Sequence, residues 1–473
     1  MVGGSGRWRR RTWGCLALGV AMLVTAAGCG GGSHTTSTGG PAGTSATTTQ
    51  TTPVVRRRKL NVQVIDGDTG QVVRGAVVTA PGTTRRGRWL LTFAGRRELT
   101  VTGSAPGYAS GTRRFLLSRT DRLTIRLFRS DGQWLMYGVD PGRTQAQPGI
   151  RLHPPFRFVW SRDLGSLIEY PAVVDEGIAY VNNYGGRLYA LSMTTGRTLW
   201  AANFRSTAQA SSPAVAGPDL IEHLKAGRVV VVDRSTGTVR WGFPVSGEIE
   251  SSPVVERDVD YLGDWAGDVY ALDLRSRRPR WVHHDGCKIT ASMAVSGGTV
   301  YFGDYCGRVV ALRQSDGRVV WTASAGSPVY GTAAVVGGRV FVPSRDAGAL
   351  YAFDLRGSEL WRVSTGNLVY SAPAVWGGRV YFGSYTGELY CVSASTGAVL
   401  WTLNVGAPIS GSPTVIDGVV YAATFAHRIV GADARTGHVE FTFPHGEYVA
   451  VSGNSGELLF YGWASVWAAK PRD

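Results

Sequence analysis

The side chains in this sequence that could do chemistry are a few cysteines, histidines and carboxylates. Cys287 follows His283, His284 and Asp285 closely, and thiolate, imidazole and carboxylate groups all bind transition metals. Their spacing matches no standard zinc site, so we expect no metal there. The sequence also has no Cys-Cys pair and no Cys-x-x-Cys-His haem-attachment motif. These residue types therefore indicate no catalytic site. The pattern of strands and turns along the chain says more about function.

A repeat of about 40 residues runs through most of the chain. Each copy contains four short apolar runs separated by glycine-containing turns, as in residues 370–401, and has no helical period. Four such strands in about 40–45 residues are one blade of a β-propeller. The copies share an aromatic residue at one position: Trp160, Trp200, Trp241, Trp281, Trp321, Trp361, Trp401 and Phe441.

The last copy is incomplete, because no Thr-Gly-x-x-x-Trp strand follows residues 447–468. Residues 156–160 precede the first complete copy and have the character of the missing strand. We therefore predict an all-β chain in which residues 131–473 form an eight-bladed propeller. Pairing of the two ends of the propeller sequence would leave no open sheet edge.

The repeats resemble those of the pyrroloquinoline-quinone (PQQ) repeat propellers. The resemblance rests on Trp134-Leu-Met-Tyr-Gly-Val-Asp140 ahead of the ring, on Gly-x-Leu-Tyr-Ala-Leu as in residues 186–191, and on Thr-Gly-x-x-x-Trp as in residues 195–200. It implies that the recurring aromatic residues dock adjacent blades on one another and are not catalytic.

Some PQQ-repeat proteins are dehydrogenases, and the resemblance implies what such an enzyme would need. The requirements are a calcium clamp, a catalytic aspartate, a basic residue near the quinone and an aromatic plate beneath it. None of these can be transferred to a position of this sequence, so we expect no PQQ, no calcium, no catalytic residue and no enzymatic activity. A PQQ-dependent oxidoreductase is the alternative. The same repeats build non-catalytic lipoproteins, including the propeller component of the outer-membrane β-barrel assembly machinery, which works as a scaffold.

Residues 1–29 have the features of a bacterial lipoprotein signal peptide. Basic residues at positions 7–11 precede a short apolar run over 13–24. The following Ala-Ala-Gly-Cys29 resembles a lipobox, which implies a lipid group on Cys29 and a membrane-anchored, extracytoplasmic protein; simple secretion is the alternative. Residues 30–58 are mostly Gly, Ser, Thr, Ala and Pro and end in a basic run, which predicts a disordered linker.

Residues 59–130 consist of short β-rich runs separated by turn residues, a pattern that predicts a small β-sandwich. Residues 64–70 and 105–108 resemble the carboxypeptidase-regulatory, transthyretin-like module, which is usually non-catalytic. Asp66 and Asp68 lack the further ligands of a calcium loop, so we interpret them as part of a hairpin turn.

The net charge of +15 is confined to the N-terminal region. Residues 1–130 hold 20 Lys+Arg and 4 Asp+Glu, whereas residues 131–473 hold 29 and 30. The propeller is therefore neutral, and a nucleic-acid partner is not expected.

Cys287 and Cys306 fall in one predicted blade, the first before its inner strand and the second in the turn between its second and third strands. Both connections open on the same face of a propeller, so the two thiols could reach the Cα separation of about 5–6 Å that a disulfide requires. We predict a disulfide between them, which fits an oxidising compartment.

Aromatic side chains also recur in the loops of one propeller face. One set follows the second strand of a blade, and another precedes the inner strand, so both should line one mouth of the central channel. Such rings suit peptide or sugar recognition, with packing against a neighbouring loop as the alternative. The candidate binding residues are Tyr184, Trp265, Tyr305, Tyr385, Phe425 and Trp463 in the first set, and Glu250, Tyr330 and Tyr370 in the second.

Together these patterns predict a monomeric, non-catalytic, lipid-anchored propeller that acts as a protein-binding scaffold in the cell envelope. Its partner would be an envelope protein or peptide at the propeller mouth, and the basic N-terminal region could add a membrane contact. A cell-wall or polysaccharide-binding adhesin is a further alternative.

Overall fold

The computed structural model describes residues 57–81, 83–86, 89–94, 98–116, 122–205 and 209–472 of the chain. These residues belong to one compact unit that begins at Val55. The predicted signal peptide, Cys29 and nearly all of the predicted linker lie outside the described residues. Within those ranges no helix is long and apolar enough to span a membrane.

Two four-stranded sheets form the N-terminal part of this unit, which we call the N-terminal sandwich. One buried cluster fills the space between them, with Leu60 and Val64 from the first sheet and Val78 and Val101 from the second. Apolar and polar residues alternate along residues 60–64, as expected for a strand with one buried face. The first sheet has the order Trp89–Ala94, Arg57–Asp66, Arg122–Arg129, Tyr108–Ala109, and the second has the order Thr83–Arg86, Val77–Ala80, Glu98–Ser104, Gly111–Leu116.

A short 3-10 helix, Ser130–Gly132, leads from the sandwich to eight further sheets, and the predicted all-β propeller fold is confirmed. Seven of these sheets have four strands, and the eighth has a fifth short strand, Ala146–Gln147. We number the sheets blades 1 to 8 in the order of their innermost strands. From inner to outer strand, blades 1 to 4 are Val173–Asp175, Ile178–Asn183, Arg187–Ser192, Thr198–Asn203; Ala214–Ala216, Asp219–Leu224, Arg228–Asp233, Val239–Pro244; Val254–Glu256, Val259–Gly263, Asp268–Asp273, Arg278–His284; and Ala294–Ser296, Thr299–Gly303, Arg308–Arg313, Val319–Ser324. Blades 5 to 8 are Ala334–Val336, Arg339–Ser344, Ala349–Asp354, Glu359–Ser364; Ala374–Trp376, Arg379–Gly383, Glu388–Ser393, Val399–Asn404; Thr414–Ile416, Val419–Thr424, Arg428–Asp433, Val439–Phe443; and Val451–Gly453, Leu458–Tyr461, Ser465–Pro471, Phe156–Asp163.

The innermost strands of neighbouring blades contact one another from blade 1 to blade 7, and that of blade 8 contacts that of blade 1. Hydroxyl side chains link them: the Ser212 amide donates to Ser252 Oγ (2.9 Å), the Ser252 amide to Ser292 Oγ (2.8 Å), and the Ser292 amide to Thr332 Oγ1 (3.2 Å). The partners in each bond are 40 residues apart, so the repeat length places the same hydroxyl of one blade beside the backbone of the blade before it.

The recurring tryptophans pack each blade against the next. Trp361 lies on Gly397, which has a φ of +74° and where an added Cβ would approach the indole to 2.7 Å. The indole Nε1 also donates to the Ala394 carbonyl at 3.3 Å. In blade 3, Arg277 takes the position of this glycine, and its guanidinium lies 5.8 Å from the ring centroid of Trp241. The glycine contact recurs for Trp160, Trp200, Trp281, Trp321 and Trp401.

Blade 8 takes its strands from both ends of the propeller sequence. Its outer strand, Phe156–Asp163, pairs antiparallel with Ser465–Pro471. Phe441, the one residue of the docking series that is not tryptophan, contacts Phe156 edge to face, with ring centroids 5.2 Å apart. This is the pairing that the incomplete last copy predicts.

Residues 134–147, which we call the central segment, cross the middle of the propeller. Its carbonyl groups accept hydrogen bonds of 2.7 to 2.9 Å from the middle residue of six innermost strands. Its last two residues, Ala146–Gln147, also pair in parallel with Thr414–Ile416. The donors are Val174, Val215, Val295, Val335, Val375 and Val415.

Arg143 anchors the central segment from within. Its side chain is fully buried, and its nitrogens donate to the main-chain carbonyls of Met293 (2.8 Å), Ser252 (2.9 Å) and Pro253 (3.0 Å), and to that of Tyr137. Burial lowers the pKa of Arg143 to about 10, which still leaves the guanidinium charged at neutral pH.

The N-terminal sandwich lies on the propeller face formed by the turns between first and second strands. Asp68 accepts hydrogen bonds from Gln133 Nε2 (2.9 Å) and from Asn454 Nδ2 (2.8 Å), which lies in that turn of blade 8. Phe128 lies beside Gly177 in the same turn of blade 1. Burial raises the pKa of Asp68 to about 7. The sandwich therefore occupies the face opposite the predicted binding residues.

Candidate functional site

Two kinds of loop bring the predicted binding residues together on the face away from the N-terminal sandwich. Tyr385 lies in the turn between the second and third strands of blade 6. Tyr370 lies in the connection from blade 5 to the innermost strand of blade 6. Because strand direction alternates within a blade, both kinds of loop open on the same face, and the two ring centroids are 4.9 Å apart.

Seven rings, which we call the aromatic arc, continue this contact across blades 4 to 8. Neighbouring centroids are 4.9 to 6.3 Å apart, within the range in which aromatic pairs attract each other. In order along the arc the residues are Tyr305, Tyr330, Tyr370, Tyr385, Phe425, Tyr448 and Trp463.

The middle of the arc borders a cavity of about 210 Å³, which we call the aromatic cup. The central segment forms its floor through Tyr137 and Gln145. The Tyr137 hydroxyl hydrogen bonds to Ser412 Oγ at 2.8 Å, and its ring contacts Tyr170 with centroids 5.6 Å apart. The aromatic residues that line the cup are Tyr137, Tyr170, Tyr330, Tyr370, Tyr385, Phe425 and Tyr448.

The rim next to the arc, on blades 2 to 4, carries charges that satisfy one another. Lys225 Nζ lies 2.7 Å from Glu250 Oε1, in an ion pair. Two ammonium groups lie near the ring of Trp265: Lys288 Nζ is 3.2 Å and Lys225 Nζ 4.9 Å from its centroid. Lys225 and Lys288 therefore each already have an aromatic or carboxylate partner.

Glu169 differs from these rim charges. It lines the cup, and within the part of the chain that the structure describes its carboxylate makes no ion pair and no hydrogen bond. Burial raises its pKa, and the negative charge of Glu250 raises it further, whereas Lys225 opposes the shift.

The structure brings most of the predicted binding residues into one continuous surface. Tyr184 is outside it: its side chain is 39% exposed, its main chain hydrogen bonds to Leu167 and Gln209, and its ring meets none of the arc. Sequence reasoning missed three residues that line the cup, Tyr137, Glu169 and Tyr170. Glu169 occupies the repeat position of Glu250, so the repeat could have revealed it, but Tyr137 precedes the repeats.

Cys287 and Cys306 form a disulfide with a Cα separation of 5.9 Å. The neighbours of the two cysteines, Lys288 and Tyr305, are joined by a hydrogen bond from the Tyr305 amide to the Lys288 carbonyl at 2.9 Å. The disulfide thus holds the loop that carries the Trp265-bound lysine against the start of the arc. His284 Nδ1 lies 2.6 Å from Asp268 Oδ1.

The cofactor that the resemblance implies does not fit the cup. PQQ carries three carboxylates, and calcium takes six or more oxygen ligands. Among the described residues that line the cup there is no lysine, arginine or histidine, and Glu169 is the one carboxylate. The guanidinium of Arg143, below the floor, is bound to main-chain carbonyls. A tricarboxylate quinone would therefore lack cationic partners here.

Comparison with known proteins identifies the repeats. Residues 157–286, 265–367 and 346–462 match the PQQ_2 family, whose description is outer membrane protein assembly factor BamB. No curated protein matches the chain.

Many solved structures resemble the chain, among them BamB from Moraxella catarrhalis, with 18% identity and a TM-score of 0.56 over 67% of this chain and 98% of that one. The computationally designed protein Ika8 is 16% identical, with a TM-score of 0.57 over 66% of this chain and 98% of the other. Quinohemoprotein alcohol dehydrogenase from Comamonas testosteroni is 14% identical, with a TM-score of 0.61 over 72% of this chain and 81% of that one. At these identities the likeness shows a shared fold.

Proposed function

Because this chain belongs to the PQQ_2 family, described as outer membrane protein assembly factor BamB, we propose that it is a non-catalytic scaffold that binds a polypeptide partner at the aromatic cup. The family description supports a role in protein assembly, and the propeller supplies a rigid frame for a binding surface. For this chain we propose the broader role of a scaffold in the cell envelope.

The observation that carries the proposal is the aromatic arc. Its seven rings are held by loops of five blades, and the described residues of the arc are half-buried or exposed, as at Trp463, which is 54% exposed. Rigid aromatic side chains offer large contact areas at a small cost in conformational entropy, which is why they dominate the centres of protein interfaces. The surface thus has the composition of a binding site for an extended polypeptide segment.

The position of the N-terminal sandwich supports a membrane-anchored arrangement. The sandwich covers the face that carries Asn454 and Gly177, and the described chain begins within the sandwich at Arg57. A lipid on Cys29 would therefore be joined to the folded chain through the sandwich. We propose that the cup, on the opposite face, meets partners in the extracytoplasmic space.

Affinity purification of the full-length protein from cells tests this role. We expect Tyr385→Ala combined with Phe425→Ala to abolish co-purification of a defined envelope protein that the wild type retains. Tyr184→Ala is the matched control, because it removes an exposed aromatic ring of the same face outside the arc, and it should retain the partner. Retention by the double variant, or equal loss in the control, would contradict the proposal. Binding of purified cell-wall polysaccharide in place of protein would favour the adhesin.

The alternative of a PQQ-dependent oxidoreductase has a direct test. We expect the purified protein, incubated with PQQ and calcium, to reduce no artificial electron acceptor with alcohols or sugars as substrates. Turnover that Tyr385→Ala or Glu169→Gln abolishes would overturn the scaffold proposal.

A further inference from the structure

The described residues that line the aromatic cup include one acidic side chain and no basic one. Glu169 lines the cup without an ion-pair partner among the described residues, and no described lysine, arginine or histidine lines it. An ionised carboxylate at the edge of a partly desolvated cavity gains most from a cation brought by a ligand, since attraction between charges grows as water is excluded. The electrostatics of the cup therefore favour a positively charged group.

The aromatic walls favour the same group. The faces of tyrosine and phenylalanine rings carry negative potential and attract ammonium or guanidinium groups within about 6 Å. Tyr385, Phe425 and Tyr448 border the cup, and none of them has a described cationic partner, although Arg345 lies 5.2 Å from the Tyr370 centroid. The rings of Tyr385, Phe425 and Tyr448 thus line the same cavity as Glu169 and hold no cation of the described residues.

The rim of the same face already shows this arrangement with the protein's own residues. Lys225 contacts both Glu250 and the face of Trp265, so one ammonium is shared by a carboxylate and a ring. The cup presents the other half of such an arrangement, with rings and a carboxylate but no lysine.

The cavity also limits the size of the group. At about 210 Å³ the cup is smaller than the roughly 300–1,000 Å³ of ligand pockets for drug-sized molecules. It suits a single long side chain that enters from an extended chain lying on the aromatic arc.

We infer that the aromatic cup recognises a lysine side chain of its polypeptide partner, with the ammonium between the Glu169 carboxylate and the rings of the cup. This inference rests on the proposed function and specifies the residue that the scaffold selects. Arginine, with its larger planar guanidinium, should bind less well in a cavity of this size.

Isothermal titration of the purified full-length protein tests the inference. The probes are blocked pentapeptides Ser-Gly-X-Gly-Ser in which X is lysine, norleucine, arginine or glutamate. We expect the lysine peptide to bind about tenfold more tightly than the norleucine peptide, which has nearly the same shape without the charge. Equal affinities for the lysine and norleucine peptides would overturn the lysine inference but would not contradict the scaffold proposal. Absence of binding by all four at millimolar concentration would overturn the cup as a peptide site, and the inference with it.

Variants assign the effect to the cup. Glu169→Gln should weaken binding of the lysine peptide about tenfold and leave the norleucine peptide unchanged. Glu359→Gln, an exposed glutamate on the outer strand of blade 5, is the matched control and should change neither. Tyr385→Phe should retain lysine binding, whereas Tyr385→Leu should weaken it. A Glu169→Gln variant that binds both peptides like the wild type would contradict the assignment.

A choline titration separates a peptide from a small amine as the source of the cation. We expect choline to compete weakly with the lysine peptide. A higher affinity for choline than for the lysine peptide would contradict the proposal of a polypeptide ligand and indicate a quaternary amine.

Discussion

Replacement of Arg143 by lysine tests how the floor of the cup is held. The guanidinium uses three nitrogens to reach carbonyls of Met293, Ser252, Pro253 and Tyr137, whereas a lysine ammonium offers one nitrogen at the end of a flexible stem. Hydrogen bonds from charged groups are worth about 1.5–3 kcal/mol each. If two of these hydrogen bonds are lost, the free energy of unfolding should fall by roughly 3–6 kcal/mol.

The loss of stability should appear both in global unfolding and in the hydrogen exchange of amides that bond to the central segment. The amides of Val295, Val335 and Val375 donate to the central segment at 2.7 to 2.8 Å, so their hydrogen exchange should accelerate in Arg143→Lys. Denaturant unfolding and exchange measured by mass spectrometry provide the two readouts. Arg318→Lys, at a position 80% exposed, is the matched control and should behave like the wild type. An unfolding free energy within 1 kcal/mol of the wild type, with unchanged exchange at the three valines, would refute this account.

Three further predictions concern other parts of the chain. Burial raises the pKa of Glu222 to about 8, so the folded state holds this proton over a pH range in which the unfolded state has lost it. The free energy of unfolding of the wild type should therefore fall by up to ~1.4 kcal/mol per pH unit as pH rises from about 4.5 to 8. Glu222→Gln should lack this fall, and parallel curves of unfolding free energy against pH for the two proteins would contradict the burial of that carboxyl. Replacing Cys287 and Cys306 by serine opens a link between residues 19 apart and should lower the free energy of unfolding by roughly 3 kcal/mol, and an effect below 0.5 kcal/mol would show that the bridge is absent in solution. Cys29→Ser should abolish palmitate labelling and release the protein from the membrane fraction, whereas persistent labelling would exclude Cys29 as the lipid site.

Much of the propeller is predictable because each blade repeats the same strands and the same packing contact with the next blade. The tryptophan of one blade and the glycine of the next, as in Trp361 and Gly397, recur with the repeat because the indole occupies the space that a Cβ would need. The aromatic loops are predictable for the same reason, since two positions per repeat project to one face.

The floor of the cup and the placement of the sandwich are not readable in this way. Tyr137 and Arg143 lie in a segment without periodicity, and their roles depend on partners more than 100 residues away, such as the Ser412 hydroxyl and the Met293 carbonyl. The contact between Asp68 and Asn454 joins residues 386 apart, and a turn aspartate gives no sign of such a partner. Glu169 belongs to the repeat, but its importance follows only from the lack of a basic side chain among the described residues that line the cup, which depends on tertiary packing.

Site-specific photo-crosslinking in intact cells tests most directly whether the aromatic cup is the binding surface. A benzophenone amino acid at Trp463 places the probe at the exposed end of the arc, and one at Val239, 47% exposed on the outer strand of blade 2, provides the control. We predict a discrete protein adduct from position 463 that disappears when Tyr385 and Phe425 are alanine, and no such adduct from position 239. The same adduct from both positions, or one that survives loss of the two rings, would contradict the account.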